Sequence, residues 1–416
     1  RQACGFVSHQ RMLRAFDPAL DGPADADEAW RYRYVNGERV CGWSCDPSGP
    51  YYEQDKHLCP KACRSERFAG GSSLPSRSEI GGVCSEPPPP LPPRSGGAAS
   101  CSSGEAAITA AGVWMLIGVQ TGPAHLPRRD GVRASWKRFE AETDGVLVCF
   151  LVGRGGLGPS ALAALEAEEA EHGDILWLPN ATDAGVPTIK GYHWWRAAAA
   201  LLPREGSASG LRIAAKVDDD SFVHLGNLVR DMRQLHCVSH LHYGSIGFTG
   251  YDPSIWRLCG WSWQPRGNNY RKERCARKGA HPPFPFMNGA MELLSAPLVR
   301  YVAHSPEVAG FVSRAQQAVD ARLAAGWPVY DPRRGKAKGP RVWRQNEDVA
   351  LGFWISRGER RGLFNVTWVR INDRAINMAC ISTKGMYQRP RNDTISVHFL
   401  KRPGGSLYLW GLMHDG

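Results

Sequence analysis

The stretch that decides the fold is Leu211–Val223, which reads LRIAAKVDDDSFV. Its first seven residues are mainly apolar, and they lead directly into three aspartates, Asp218, Asp219 and Asp220. A short apolar run of this kind is typical of a buried strand. Ligands bind at the carboxyl ends of strands in open α/β sheets. The stretch therefore predicts an α/β protein with an acidic site at the end of a central strand.

The aspartate triplet indicates a cation site. Three adjacent carboxylates repel one another, so a fold keeps them close mainly where a cation neutralises them. Alternate residues of an extended chain share a face, which directs Asp218 and Asp220 to one site and Asp219 away from it. Carboxylate oxygens suit manganese or magnesium, which can bridge the two phosphates of a nucleotide. A solvated acidic turn is the alternative, and the local sequence leaves it open.

Two further groups carry candidate chemistry. Glu347 and Asp348 precede an apolar segment, where carboxylates are favoured by the dipole of a helix or serve as a general base. His398 lies in the alternating segment Ile395–Leu400, which predicts a strand. This histidine is either structural or completes a carboxylate metal site as a neutral imidazole.

Apolar runs alternate with helical stretches from about residue 105 onward. Such alternation predicts an α/β layer fold with a largely parallel sheet, and we assign residues 105–416 to one catalytic domain. The predicted strands are 113–119, 145–153, 174–178 and 211–217, and the predicted helices are 161–170 and 191–202.

The residues before this domain differ in composition. Residues 1–68 form a predicted cysteine-rich module, and residues 69–104, rich in proline, glycine and serine, form a predicted linker of the semi-rigid spacer type. No stretch reaches the roughly 18 apolar residues of a membrane span. Because the sequence begins at Arg1, we expect a membrane anchor upstream of it.

Cysteine usage indicates an oxidising compartment. The chain has 12 cysteines, and seven of them lie within the first 101 residues. The spacing of Cys41 with Cys45 and of Cys59 with Cys63 is unlike the pairs of a zinc finger, so disulfide bonds are favoured. Three sequons for N-glycosylation, at Asn180, Asn365 and Asn392, agree with this interpretation.

The formal net charge of +11 permits phosphate-bearing ligands. Two local basic clusters lie within residues 271–278 and 333–341. Each basic cluster has two interpretations: it is a solvated loop, or it attracts a diphosphate or an acidic acceptor. No zinc-finger, RRM or KH signature accompanies the charge, so we do not expect nucleic acid as a partner.

Eight segments in chain order resemble the motifs of glycosyltransferase family 31, the β-1,3-galactosyltransferase and β-1,3-N-acetylglucosaminyltransferase relatives that include Fringe. The resemblance covers about residues 112–402. The segments are 128–136 (RRDGVRASW), 150–153 (FLVG), 172–176 (HGDIL), Lys190, 216–223 (KVDDDSFV), 284–290 (FPFMNGA), 347–352 (EDVALG) and 397–398 (VH).

The resemblance implies a GT-A fold, in which helices flank a Rossmann-like, mainly parallel central sheet. It also implies a UDP-sugar donor, manganese, and inversion at the anomeric carbon to give a β-1,3 link. The resemblance makes Asp220 the principal metal ligand, together with His398 and Asp218. Asp218 and Asp219 would also hold the nucleotide.

The same resemblance assigns the remaining candidates. Asp348 would be the base, with Glu347 as its rival, and Arg133 and Lys190 would shape the nucleotide pocket. Gly289 would let backbone approach the substrate closely. The implied location is the Golgi lumen, with anchoring as a type II membrane protein.

Two departures from the family pattern leave the donor sugar open. Residues 183–190 lack the usual tyrosine and asparagine before the lysine, and Glu292 stands where the family has an aromatic residue. We expect galactose, transferred from UDP-galactose to a glycan or glycoprotein acceptor, with N-acetylglucosamine as the alternative. A non-catalytic glycan-binding relative and a metal-dependent phosphoesterase are the rival classes.

Overall fold

The computed structural model describes residues 84, 99–183, 186–203, 210–252, 257–262, 281–327, 347–371, 374–377, 392–398 and 400. The predicted cysteine-rich module at residues 1–68 lies outside the described residues, as do both basic clusters. The domain boundaries proposed above therefore remain a prediction.

Helices and strands alternate through the first half of the domain, as the hydrophobic pattern predicts. In chain order the elements are α1 (Glu105–Ala110), β1 (Met115–Gln120), α2 (Leu126–Ala134), β2 (Val146–Gly155), α3 (Pro159–His172), β3 (Ile175–Thr182), α4 (Pro187–Ala200), β4 (Ile213–Asp218), β5 (Phe222–Val223), α5 (Leu225–Gln234), β6 (Leu241–Asp252), β7 (Arg257–Ser262), β8 (His281–Ser295), α6 (Ala296–His304), α7 (Pro306–Ala324), α8 (Glu347–Arg360), β9 (Thr367–Arg370), β10 (Ala375–Asn377) and β11 (Ser396–His398).

The central sheet has the strand order β3-β2-β1-β4-β8-β6-β7, with β9 paired to β6. Strands β3, β2, β1 and β4 run parallel, whereas β8 is antiparallel to β4 and β6 is antiparallel to β8. A second, small sheet has the order β10-β11-β5. The predicted GT-A arrangement, a largely parallel sheet flanked by helices, is therefore confirmed for the described residues.

Both faces of the central sheet are buried, which is why its strands read as near-continuous apolar runs. In β1, Leu116 belongs to the core on the α4 and α8 side, whereas Ile117 and Val119 belong to the core on the opposite side. Gly118 lies between Ile117 and Val119 in the strand, and a Cβ atom on Gly118 would come within 2.9 Å of the Trp194 indole. The glycine thus lets α4 pack directly on the sheet.

Two disulfide bonds join described residues, as the cysteine pattern predicts. Cys101 bonds to Cys149 in β2, and Cys84 bonds to Cys237 beyond the end of α5. Cys84 and Cys101 both belong to the predicted linker, so that segment is tied covalently to the catalytic domain at two points. Among the described residues, none of the helices combines the length and apolar character needed to cross a bilayer.

Candidate active site

The acidic triplet lies at the carboxyl end of β4, in the middle of the sheet. The strand ends at Asp218, and the chain then turns, with the Ser221 amide donating to the Asp218 carbonyl at 3.0 Å. Asp218 and Asp220 face one side and Asp219 faces another, as expected. The turn, rather than continued extended chain, produces this separation.

The turn is fastened to the C-terminal strand that carries His398. Strand β5 pairs antiparallel with β11, and the Leu400 amide donates to the Asp220 carbonyl at 2.8 Å. His398 Nε2 lies 3.1 Å from Asp220 Oδ1 and 3.4 Å from Asp218 Oδ2. One ligand atom from each of these three residues lies within 4.8 Å of the other two. Two carboxylates and an imidazole at this spacing form a donor set that fits a divalent cation.

The charges of this group are strongly coupled. Burial would raise the pKa of Asp218, but Lys216 and His398 overcome this effect and lower it to about 2. Burial would lower the pKa of His398, but hydrogen bonds with Asp218 and Asp220 raise it to about 9. The carboxylates thus attract positive charge to the imidazole position, which is the property that a cation site requires.

Asp219 is enclosed by groups from the loop after β1 and from the start of α2. Its Oδ2 accepts from Thr121 Oγ1 at 2.8 Å and lies 2.6 Å from His125 Nδ1, and its Oδ1 accepts from Arg128 at 2.6 Å. The carboxylate is buried, whereas the His125 side chain is 44% exposed and Arg128 is 27% exposed. Asp219 therefore holds two exposed cationic or polar groups beside the cation site.

Lys216 connects the triplet to the second acidic motif. Its side chain is fully buried, and Nζ donates to Asp218 Oδ1 at 2.6 Å, to the Gly289 carbonyl at 2.9 Å and to Glu347 Oε1. Asp218 and Glu347 are thus bonded to the same ammonium group. The cation site and the acidic pair consequently belong to one site, although 126 residues of sequence separate the two motifs.

Glu347 and Asp348 begin α8, as the sequence predicts, and both face the end of β4. Asp348 is buried; its Oδ2 accepts from the Gly289 amide at 2.9 Å and its Oδ1 from the Val349 amide at 2.7 Å. Burial and the neighbouring Glu347 carboxylate raise the pKa of Asp348 to about 7. A carboxylate with that pKa is suited to general base catalysis near neutral pH.

The two predicted nucleotide-pocket residues differ in position. Lys190 is buried in α4 and donates to the Thr121 carbonyl and to Asp183, so it supports the loop that encloses Asp219. Arg133 is not brought to the triplet. Its guanidinium donates to Asp174 at 2.8 Å and 3.0 Å and also bonds Glu168 and Asp130. Burial lowers the pKa of Arg133, but Asp174 and Glu168 overcome this effect and raise it above the ordinary value.

Arg133 instead borders a separate cavity of about 520 Å³. Because its hydrogen bonds go to carboxylates within this network, its observed role is to fasten α2 to α3 and β3. The prediction that Arg133 shapes the nucleotide pocket gains no support from its contacts.

Sequence reasoning gave no role to Lys216, Arg128 or His125. The sequence could have indicated a contact between Lys216 and Asp218, because residues two apart in a strand share a face. For Arg128 and His125 the sequence offers no such signal, since their contact with Asp219 depends on the path of the loop after β1.

Residues 127–324, just under half of the chain, match the family model described as Galactosyltransferase. The matched segment includes the acidic triplet, Lys216 and Lys190. Glu347, Asp348 and His398 lie beyond it.

Named relatives agree with this family. The chain is 29% identical over 267 residues to "Beta-1,3-galactosyltransferase 6" of Mus musculus, covering 61% of this chain and 64% of that protein. It is 34% identical over 142 residues to the Homo sapiens "Acetylgalactosaminyl-O-glycosyl-glycoprotein beta-1,3-N-acetylglucosaminyltransferase", covering 32% of this chain and 35% of that protein. The chain thus spans less than two thirds of the length of either relative.

A solved structure of the galactosyltransferase LgtC in complex with donor and acceptor sugar analogs also resembles the chain. It is 12% identical, covers 72% of this chain and 96% of its own, and has a TM-score of 0.35. A likeness this distant supports no transfer of function.

Proposed function

We propose that this protein is an inverting, metal-dependent hexosyltransferase that transfers galactose from UDP-galactose to a glycan or glycoprotein acceptor in β-1,3 linkage. The observation that carries the proposal is the single site in which Lys216 joins Asp218 to Glu347, beside Asp220, His398 and Asp348. The family match and the names of the relatives support the reaction class.

Asp218, Asp220 and His398 would hold the cation, with manganese as the proposed ion. When bound, such a cation neutralises the diphosphate and the charge that develops on the leaving nucleotide. The carboxylates and the imidazole supply oxygen and nitrogen donors from three directions, and the buried backbone of β4, β5 and β11 fixes them.

Asp348 would accept the proton of the acceptor hydroxyl. Its carboxylate is buried beside Glu347, which raises its pKa toward neutrality and makes it a stronger base than an exposed aspartate. Glu347 is bonded to Lys216, so its charge is already neutralised in part. A single displacement by the acceptor oxygen would invert the anomeric carbon and needs no covalent intermediate on the protein.

Lys190, Thr121 and Asp219 would form the wall on the nucleotide side. Lys190 fixes the loop after β1, which presents Thr121 and His125 to Asp219, and Arg128 reaches Asp219 from the start of α2. The half-exposed His125 and the partly exposed Arg128 are the groups on this wall that a ribose or phosphate can reach.

Transfer of N-acetylglucosamine is the second candidate. The human relative that is 34% identical is named as a β-1,3-N-acetylglucosaminyltransferase, and this identity exceeds the 29% shared with the mouse galactosyltransferase. The longer match is to the galactosyltransferase, which is why we place galactose first.

The deciding experiment is a panel of UDP-sugars with manganese, in which UDP release is measured with and without candidate acceptors. We expect turnover with UDP-galactose and its loss in Asp220→Ala. Asp320→Ala, which removes an exposed carboxylate of α7, is the matched control and should leave turnover unchanged. Binding of UDP and manganese without turnover of any sugar would instead indicate a glycan-binding relative.

We also propose a location in the Golgi lumen, with a type II membrane anchor upstream of Arg1. The two disulfide bonds favour an oxidising compartment, and Asn180, Asn365 and Asn392 are all exposed. Expression of the full-length gene product in secretory cells, followed by enzymatic removal of N-glycans, tests this location. A product without glycans that is found in the cytosol would contradict it.

A further inference from the structure

Lys216 is a fully buried lysine whose three ammonium protons all have partners. Nζ lies 2.6 Å from Asp218 Oδ1 and 2.9 Å from the Gly289 carbonyl, and it also bonds Glu347. An ammonium group has three donors and no acceptor. The three contacts therefore hold this group in place at the junction of β4, β8 and α8.

The Asp218 carboxylate divides its two oxygens between Lys216 and the cation site. Oδ1 accepts from Lys216, whereas Oδ2 lies 3.4 Å from His398 Nε2. Because one oxygen is held by the ammonium group, the other is directed to the place where Asp220 and His398 converge. Partners of this kind orient metal ligands and tune their basicity.

The surroundings behind Lys216 direct its charge toward the site. Glu292 lies opposite Lys216 in the β4–β8 ladder, and burial raises its pKa well above the ordinary value, which favours the neutral acid. His242, 3.9 Å from Glu292, is also buried, and burial lowers its pKa to about 3. Because Lys216 bonds Asp218 and Glu347 directly, its charge acts mainly on these two carboxylates.

We propose that Lys216 is a positioning residue that couples the cation site to the acidic pair, through Asp218 on one side and Glu347 on the other. It acts without touching the donor. This inference rests on the proposed function, since it assigns Lys216 a role within the same site.

The test is manganese binding in the presence of UDP, measured by calorimetry, together with kcat and KM for the donor. Lys216→Met, which keeps the length of the side chain but removes the charge, should weaken manganese binding about 10- to 100-fold and lower kcat. At saturating manganese the KM for the donor should change little. Lys137→Met is the matched control, because Lys137 is a partly buried lysine bonded to Glu140 and the Val148 carbonyl; it should bind manganese as the parent does.

A second variant keeps the proposal falsifiable if Lys216→Met fails to fold. Glu347→Gln preserves shape and leaves every proposed metal ligand intact. If Lys216 couples the two groups, loss of the Glu347 charge weakens one of the three contacts that hold the ammonium group in place, so Asp218 is oriented less well and manganese binding weakens about 2- to 30-fold. Unchanged manganese affinity in a folded Glu347→Gln or Lys216→Met protein overturns the coupling.

The outcomes separate this inference from the proposed function. If the parent protein binds neither manganese nor UDP, the proposed function and the inference fail together. If the parent binds both and Lys216→Met is indistinguishable from it, only the inference fails. A higher KM for the donor at unchanged manganese affinity would also refute the inference, because it would show that Lys216 contacts the donor.

Discussion

His398 Nε2 lies 3.1 Å from Asp220 Oδ1. This contact joins β11, the last described strand of the chain, to the turn after β4. Neither residue forms a cation site by itself, since isolated acidic turns and strand histidines are common. Their contact depends on the pairing of β5 with β11, so the site forms only when the C-terminal segment has folded onto the domain.

The first prediction concerns this contact. Substituting a residue that hydrogen-bonds a metal ligand typically weakens metal binding roughly 10- to 100-fold. His398→Ala should weaken manganese binding by more than this, because it removes a ligand itself. Calorimetric titration of manganese with UDP present measures the effect. His304→Ala, at the exposed C-terminal end of α6, is the control; equal affinities for the two variants would exclude His398 from the site.

The second prediction concerns pH. Because the pKa of Asp348 is raised to about 7 and a general base must be ionised, kcat/KM should fall as the pH drops through about 7. Asp348→Asn should lose roughly 10²-fold or more in rate and no longer show this acid limb. Glu347→Gln should retain the limb but move it to lower pH, because the Glu347 charge helps to raise the pKa of Asp348. The reverse result, a normal rate for Asp348→Asn, would make Glu347 the base.

The third prediction concerns the support of β11. Arg374 forms a buried pair with Asp231, at 2.7 Å and 3.1 Å, and also bonds the Asp393 carbonyl, while its own carbonyl accepts from the Ile395 amide. Arg374→Met leaves the Asp231 charge buried without its partner and should cost about 3–5 kcal/mol of unfolding free energy.

Denaturant unfolding measures this cost, and manganese titration should show weaker binding because β11 carries His398. Arg154→Met breaks an exposed pair with Glu166 and should cost no more than about 1 kcal/mol. If Arg374→Met is as stable as Arg154→Met, the buried pair does not hold this segment.

The fourth prediction concerns Gly289, whose backbone bonds both Lys216 and Asp348. A Cβ atom there would lie 3.1 Å from Lys216 Nζ and 3.5 Å from a carboxylate oxygen of each of Glu347 and Asp348. Gly289→Ala should therefore lower kcat by displacing these groups, with little change in melting temperature. Gly158→Ala, where the added atom meets nothing within 4 Å, should leave kcat unchanged.

The alternation of apolar runs and helices predicted the parallel half of the sheet because buried strands and amphipathic helices have distinct periods. All four predicted strands appear as β1 to β4, with ends shifted by one to four residues. The antiparallel half was not predicted, since β6 and β8 contain glycines and prolines that obscure a strand pattern and depend on each other for pairing. The nucleotide-pocket role expected for Arg133 stays a prediction, and its contacts with Asp174 and Glu168 were not foreseen because a single arginine does not reveal which carboxylates it will meet.

The amino-acid sequence by itself determined the α/β class, the acidic triplet at the end of a central strand and the disulfide chemistry, because these follow from local periodicity and residue type. Only the tertiary structure decided which distant groups share the site. Lys216 bonds both Asp218 and Glu347, and His398 contacts Asp220, because strand pairing and helix packing bring together residues that lie far apart along the chain. Such contacts depend on the path of the whole backbone, which no local pattern specifies.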